Sequence, residues 1–449
     1  MNSINKPVKV NKTKAEVKVE FSGKNLTPYG GLGLFSQFSR KLGVEKALEK
    51  IGINSSYEGN YRAGRKMMSL IYGLVCGLER PADMNVLKRD KAFQSIVGYE
   101  DYYSQSAFSR LLGCFSVAGA EALGDENSRM LLKVRHNFEN LAKLTLDMDS
   151  HVKTVYGNQQ RANVGYNPKK PGRKSYHPLL CFIGETRDFL LGKFRPGNKY
   201  TSHGAVKLLG ECLELIPQSI QPLYLRADSG FYSFDFLSFL NQRDMRYAVS
   251  VKLYGTIQAQ LGGLQYRDIG EGVEVSEFEY SLRQGEKTLP SRMVVIREEI
   301  KEGQKATRKE ARLFELKGYS YQVIATNIRK DGPENVWRFY NGRANIENMI
   351  KEGVLGFGLE VSPCHRYGGN AAYFQMGMLA YNLMNWFKEL ALNQQPHKTM
   401  VKWIRQHFLF IAGKLVSSGG RLILKLSQNH PWQTEYHNAE ARLEALQFT

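Results

Sequence analysis

The sequence predicts a mixed α/β protein whose sheet is flanked on both sides by helical regions. Three observations carry this. From Leu144 to Thr326, short apolar runs of strand character alternate with helical ones. Before residue 140, apolar residues recur at helical spacing. They do so again after residue 370. Strands alternating with helices in one stretch indicate a layered sheet-and-helix core.

Residues 1–25 read as a basic flexible arm. Residues 26–140 read as a helical region. Met67, Met68, Leu70, Ile71, Leu74 and Val75 share a helical face, and Pro81 is expected to stop that helix. Ser104 is a good cap for a helix through Phe108, Leu111 and Leu112. With two short helices before it, this suggests a helix-turn-helix presenting Gln105, Ser106, Ser109 and Arg110 to DNA. Plain helical packing is the competing reading.

The period changes near residue 143. Leu144, Leu146 and Met148 alternate with Thr145, Asp147 and Asp149, as in a strand ending in carboxylates. Strands are expected over 176–183 and 189–194, a helix over 204–215, a strand over 222–227, a helix over 234–240 and a strand over 246–251. This forms the first part of the core, residues 141–252. Glycines recur in residues 253–319, and alternating pairs such as Val273 with Val275 and Phe278 with Tyr280 indicate a β-rich insertion. The core resumes over 320–370, with a strand from Tyr321 and a helix from about Glu334 to Glu352. Residues 371–449 read as mainly helical, with a short strand pair near 415–426.

Composition narrows the function. The 449 residues hold 62 Lys and Arg against 43 Asp and Glu, a net charge of +19. A hydrophobic fraction of 42% excludes a disordered polycation. A folded protein this basic points to a polyanionic partner, with nucleic acid ahead of a membrane surface. The five cysteines, Cys76, Cys114, Cys181, Cys212 and Cys364, contain no CxxC pair, so they read as reduced thiols rather than a zinc or disulfide framework. The N-terminus lacks the apolar stretch of a secretory signal. The most apolar segment, Ala371 to Leu392, carries Gln375, Asn382, Asn385, Lys388 and Glu389, so it reads as a buried helix rather than a membrane span. A soluble, cytoplasmic protein is expected. No GxxxxGK[ST] loop is present, which disfavours an ATP-driven helicase.

A basic protein that cuts phosphodiesters needs a local island of carboxylate, because magnesium prefers carboxylate oxygen. Two such ions ~4 Å apart serve the attacking and leaving oxygens. Asp149 or Asp147 ends the first core strand, Asp228 ends the fourth, and Glu347 lies in the helix after the insertion. If the first and fourth strands are neighbours, their ends lie side by side, and a helix packed over the sheet can bring the glutamate to the same point. Strand alternation places Asp147 and Asp149 on one face and leaves the choice between them open. His151, His177 and His203 are set aside as magnesium ligands. Arg195 and Asn198 suit either a DNA contact or a turn. Lys301, Lys305, Arg308, Lys309 and Arg312 suit either a solvated hairpin tip or a clamp on DNA.

These residues carry a resemblance. LDMDS at 146–150, YGNQ at 156–159, GYNP at 165–168, SYHPLL at 175–180, RPGN at 195–198, RADSGF at 226–231 and the Tyr340, Arg343, Glu347 signature occur in order. Together they resemble a DDE-type insertion-sequence transposase of the insertion sequence 1380 family, over about half the chain. The resemblance implies an RNase H-like catalytic core with a β-domain inserted before the last acid. Spacings of 79 residues from Asp149 to Asp228 and 119 from Asp228 to Glu347 suit an insertion in the second interval. It implies Asp149, Asp228 and Glu347 as the ligands of two magnesium ions, with manganese as a substitute. Asp149 is preferred over Asp147 because the family has a small or hydroxylic residue after the catalytic aspartate. Tyr340 and Arg343 match residues that hold DNA phosphate, and on one helix they share a face with Glu347. The family lysine seven residues after the glutamate is replaced by Val354, with Lys351 one turn earlier as its stand-in. Restoring the lysine, Val354→Lys, is expected to be neutral or mildly activating.

The implied activity is binding to terminal inverted repeats, cleavage at the element ends and strand transfer into target DNA. The implied protein is a homodimer on double-stranded DNA, nucleoid-associated in a bacterial cytoplasm, with no membrane partner. Two rivals share parts of this pattern: a nuclease of the same fold without strand transfer, and an inactive DNA-binding repressor.

Overall fold

In the computed structural model, residues 19–53, 60–300, 315–316, 318–396 and 398–448 are described. Most of the basic arm and the cluster from Lys301 to Arg312 lie outside them. The helical region begins with α1 (Leu32–Leu42) and α2 (Asn60–Val75). Two short helices, Asn85–Arg89 and Lys91–Val97, precede α3 (Gln105–Gly113), and α4 (Val117–Val134) follows. Ser104 and Ser116 cap α3 and α4 through their hydroxyls. The helix α2 stops at Val75, before Pro81; Gly77, with φ of 82°, supplies the left-handed turn that ends it.

The strand expected at the period change is β1 (Leu144–Ser150). Leu144, Leu146 and Met148 are fully buried on one face, and Thr145, Asp147 and Asp149 are buried on the other. A strand covered on both faces belongs in the middle of a sheet. It is followed by β2 (Leu179–Ile183), β3 (Phe189–Lys193), α5 (Ala205–Leu215), β4 (Leu223–Ala227), α6 (Phe234–Gln242) and β5 (Arg246–Ser250). Next come the hairpin β6 (Val273–Gln284) and β7 (Lys287–Glu299), then β8 (Tyr319–Thr326).

All of these strands lie in one mixed ten-stranded sheet, in the order β6-β7-β8-β5-β4-β1-β2-β3 with two short strands added. The first and fourth core strands, β1 and β4, are parallel neighbours, and β5 continues parallel to β4. The β-rich stretch extends this sheet through antiparallel pairing of β7 with β8 and β8 with β5, rather than forming a sheet of its own. It also contains the helix Gly255–Leu261.

After β8, the expected single helix is two: α7 (Pro333–Asn341) and α8 (Ala344–Phe357). The apolar helix α9 (Tyr367–Trp386) has all 20 residues buried. Its amides serve the free edge of the sheet. Asn382 accepts from the Phe189 amide and donates to its carbonyl, both at 2.8 Å, and Gln375 donates to the Gly192 carbonyl at 2.9 Å. Covering an edge strand in this way satisfies backbone groups that would otherwise pair with another chain. The C-terminal part adds the hairpin Gly413–Ser418 with Arg421–Leu426 and a final helix, Gln433–Ala445. No helix among the described residues is long and apolar enough to cross a membrane.

Candidate active site

The register of β1 on β4 builds the site. Asp147 pairs with Arg226 and Met148 with Ala227. One step further, Asp149 and Asp228 stand beside each other where the two strands end. The chain turns at each. Asp149 Oδ1 accepts from the Ser150 amide at 2.7 Å, and Asp228 Oδ1 caps a short 3-10 turn through the Gly230 amide at 2.9 Å. In both, the second oxygen points away from these turns.

The two aspartates of β1 differ sharply. Asp147 is fully buried and receives two hydrogen bonds of 2.7 Å from Arg226, from Nε and Nη2. Burial pushes its carboxyl above the usual range, and the paired guanidinium opposes that push. Such a bidentate, enclosed pair is structural. Asp149 has no share in that pair; it turns to Arg343.

Arg226 also explains the helix break. Its Nη1 donates to the Phe339 carbonyl at 3.0 Å, the acceptor a continuous helix would give to the Arg343 amide. The Arg343 amide bonds Tyr340 instead, three residues back. A side chain inserted into the hydrogen-bond ladder is a recognised cause of a kink. Gly342 permits it: a Cβ there would lie 1.9 Å from Arg226 Nη1. Tyr340 and Arg343 therefore do not lie on one straight helix with Glu347, yet the bend still brings them to the carboxylates.

Arg343 is the centre of the cluster. Nη2 lies 2.9 Å from Asp149 Oδ2 and 4.0 Å from Asp228 Oδ2, and Nη1 lies 3.3 Å from Glu347 Oε1. Burial alone would push the guanidinium down; Asp149 foremost, with Tyr340, Asp228 and Glu347, pushes it up, and the net shift is upward. Its Nε is buried with no hydrogen-bond partner among the described residues. The carboxylates face this guanidinium, and among the described residues no three acidic, histidine or cysteine side chains are gathered tightly enough to hold a metal ion. Tyr340 is buried beside the same charges, and burial raises its hydroxyl.

The remaining candidates divide. Lys351 is exposed one turn beyond Glu347, and Val354 packs half-buried against the core. Glu352 is engaged by Lys388 at 2.8 Å and by the Val401 amide at 2.9 Å, and Glu334 pairs with Arg267, so neither is available to the cluster. Arg195 shapes a turn: it is buried and donates to the carbonyls of His177 at 2.8 Å and Thr201 at 3.1 Å. Asn198 is exposed. His151 meets Glu360 at 2.5 Å, and His203 packs against the Tyr200 ring. His177 Nδ1 must donate to the Lys199 carbonyl at 2.7 Å, which leaves Nε2 to accept from the Ser150 hydroxyl at 2.9 Å. The ring thus steadies the residue after Asp149. Gln105, Ser106, Ser109 and Arg110 are all exposed on α3, as a reading face requires.

Sequence reasoning missed Arg226. A signal existed: a lone charge inside the apolar run LYLRA, two residues before Asp228, mirrors Asp147 two residues before Asp149.

A family model described as Transposase DDE domain group 1 matches residues 9–448. The chain belongs to this DDE transposase family. Among solved structures, a cryo-EM structure of the piggyBac transposase synaptic complex with hairpin DNA aligns at 12% identity and a TM-score of 0.45, over 84% of this chain and 79% of that one. No curated protein matches the chain.

Proposed function

We propose that the chain is a DNA transposase of the insertion sequence 1380 type. In this reading it binds the terminal inverted repeats of its own element, cleaves the DNA at the ends and joins the 3′-hydroxyls to target DNA. The strand order β5-β4-β1-β2-β3 supports an RNase H-like core. The observation that carries the reading is charge. Asp149, Asp228 and Glu347 bring three negative charges to a single guanidinium within 4.0 Å, which leaves a local charge of about −2 inside a chain of net +19.

That excess fits divalent cations with oxygen ligands, and Asp149, Asp228 and Glu347 are the residues that would hold them, with Arg343 displaced from between them. Magnesium, or manganese in its place, supplies there the Lewis acidity that activates an attacking oxygen and stabilises a leaving one. The chain's own groups do the rest. The displaced Arg343 fork fits a phosphate at two points, and the Tyr340 hydroxyl lies beside it. Asp147 and Arg226 fix β1 against β4, and His177 fixes Ser150, so both aspartates keep their places. Lys351 is an exposed cation for the same DNA strand. A homodimer on paired ends, working in the bacterial cytoplasm, completes the proposal.

The test uses an end-labelled duplex carrying the inverted repeat taken from the DNA beside the gene. Nicking at the element end with magnesium and none with chelator is expected, with strand-transfer products on longer incubation. Nicks without transfer products would indicate a nuclease, and binding without nicks a repressor.

A further inference from the structure

A cavity of about 370 Å³ lies between the outward face of α3 and the loop that follows β1. Gln105 and Ser109 form one wall, Tyr156 and Gln159 the other, and Ser362 closes the back, with Arg80 at the rim. It borders the candidate active site. Glu360, also on its lining, meets His151, two residues after Asp149.

Two features mark this cavity as built for a ligand. Gln159 Oε1 and Ser362 Oγ are both buried atoms on the lining without a hydrogen-bond partner among the described residues. Unpaired buried polar atoms cost free energy, so they mark a place where a partner is expected. Tyr156 is 71% exposed, an unusual position for a large aromatic side chain. The Arg173 guanidinium stands 5.9 Å from its ring centroid.

The walls are fixed in advance. Asn167 ties the loop together, donating to Thr154 Oγ1 and accepting from the Lys170 amide, each at 3.0 Å. The Tyr176 hydroxyl donates to the Gln160 carbonyl at 2.7 Å, and the Gln160 amide donates to the His365 carbonyl at 2.8 Å.

A flat aromatic platform, side-chain amides and hydroxyls around it and a cation at the rim suit one class of ligand. We propose that this cavity receives an unpaired nucleobase of the DNA strand engaged at the neighbouring carboxylates. The base stacks on Tyr156, its polar edge meets Gln159, Ser362 and Gln105, and its phosphate faces Arg80. Stacking on an aromatic ring tolerates any base, whereas an amide fork favours adenine. The volume is that of a small-ligand site. The inference rests on the transposase reading, since it takes the DNA strand from it.

The test is fluorescence anisotropy with three labelled duplexes of one sequence: blunt, with a two-nucleotide single-stranded extension, and with that extension made abasic. The parent protein is expected to favour the extended duplex by about tenfold and to lose that preference with the abasic one. Tyr156→Ala should abolish the preference and leave blunt-duplex binding as in the parent, whereas Tyr156→Phe should retain it. An undiminished preference in Tyr156→Ala, or equal binding of the abasic extension, overturns the proposal. Free deoxyadenosine monophosphate that displaces the extension at equal concentration overturns the DNA strand as its source. Loss of binding to every duplex, blunt included, defeats the transposase reading itself.

Discussion

Single residues decide which acids do chemistry. Asp147 and Asp149 are two positions apart on one face, yet one is locked to Arg226 and the other faces Arg343. Asp147→Ala should leave the Arg226 guanidinium buried and unpaired, at a cost of about 3–5 kcal/mol in denaturant unfolding. Asp149→Ala removes a carboxylate at a turn and should fold as the parent does, bind DNA and fail to nick it. The reverse pattern would move the metal site to Asp147. Arg343→Lys keeps the charge but loses the planar fork, so nicking should fall by at least tenfold with little change in non-specific DNA binding. Parent-like nicking would reduce Arg343 to scaffolding. Lys153 offers a test by pH. It is fully buried, its ammonium donates to the Val361 carbonyl at 2.6 Å, and burial pushes it down to about 7. The folded state then binds the proton more weakly than the unfolded chain. Stability should rise between pH 7 and 10, by up to about 1.4 kcal/mol per unit, with the full penalty present below 7. Lys153→Met should flatten that slope; identical slopes in both proteins would mean that Lys153 is charged at neutral pH.

At the scale of elements, what was legible in the sequence was what is local. The alternation in LTLDMDS set β1 and its carboxylate end, and the polar residues scattered along the apolar segment near 371–392 marked a buried helix, whose amides cap the β3 edge. What was not legible arises from distant partners. The break between α7 and α8 follows from Arg226, 113 residues before the Phe339 carbonyl it binds, so helical periodicity alone ran straight through it. The hairpin β6–β7 looked like a separate unit because its strands are continuous in sequence. Its joining to the main sheet depends on β8 pairing with β5, strands separated by the whole insertion. Gly342→Ala tests the joint. The added methyl meets a guanidinium that Asp147 holds in place, so either the joint or the Asp147 pair must yield. Loss of nicking with a lowered Tm is expected; full activity would show that the bend is not what aims Arg343. Val354→Lys reverses the expectation drawn from the family signature. Val354 packs half-buried against the core, so a lysine should destabilise rather than activate. Raised nicking at unchanged Tm would show that the lysine reaches solvent from that position.

For the whole molecule, two opposite fields must be reconciled. The chain carries +19 overall, and association with DNA should weaken steeply with salt, on the order of 10³-fold between 50 and 200 mM for about six phosphates contacted. A flat dependence would assign the charge to another partner. At the carboxylates the sign is reversed: Asp149, Asp228 and Glu347 outnumber Arg343, so without divalent cations this point repels the phosphate it must hold. Removing one carboxylate should therefore tighten DNA binding in chelator while abolishing cleavage in magnesium. Asp228→Asn suits this test, because its amide oxygen can still accept from the Gly230 amide and keep the turn. Anisotropy in chelator at 100 mM salt should give a two- to five-fold tighter complex than the parent, a difference that shrinks as salt rises and screens the site. If Asp228→Asn binds no better than the parent at low salt and without metal, the DNA backbone does not pass over these carboxylates, and the cleavage site must lie elsewhere on the sheet.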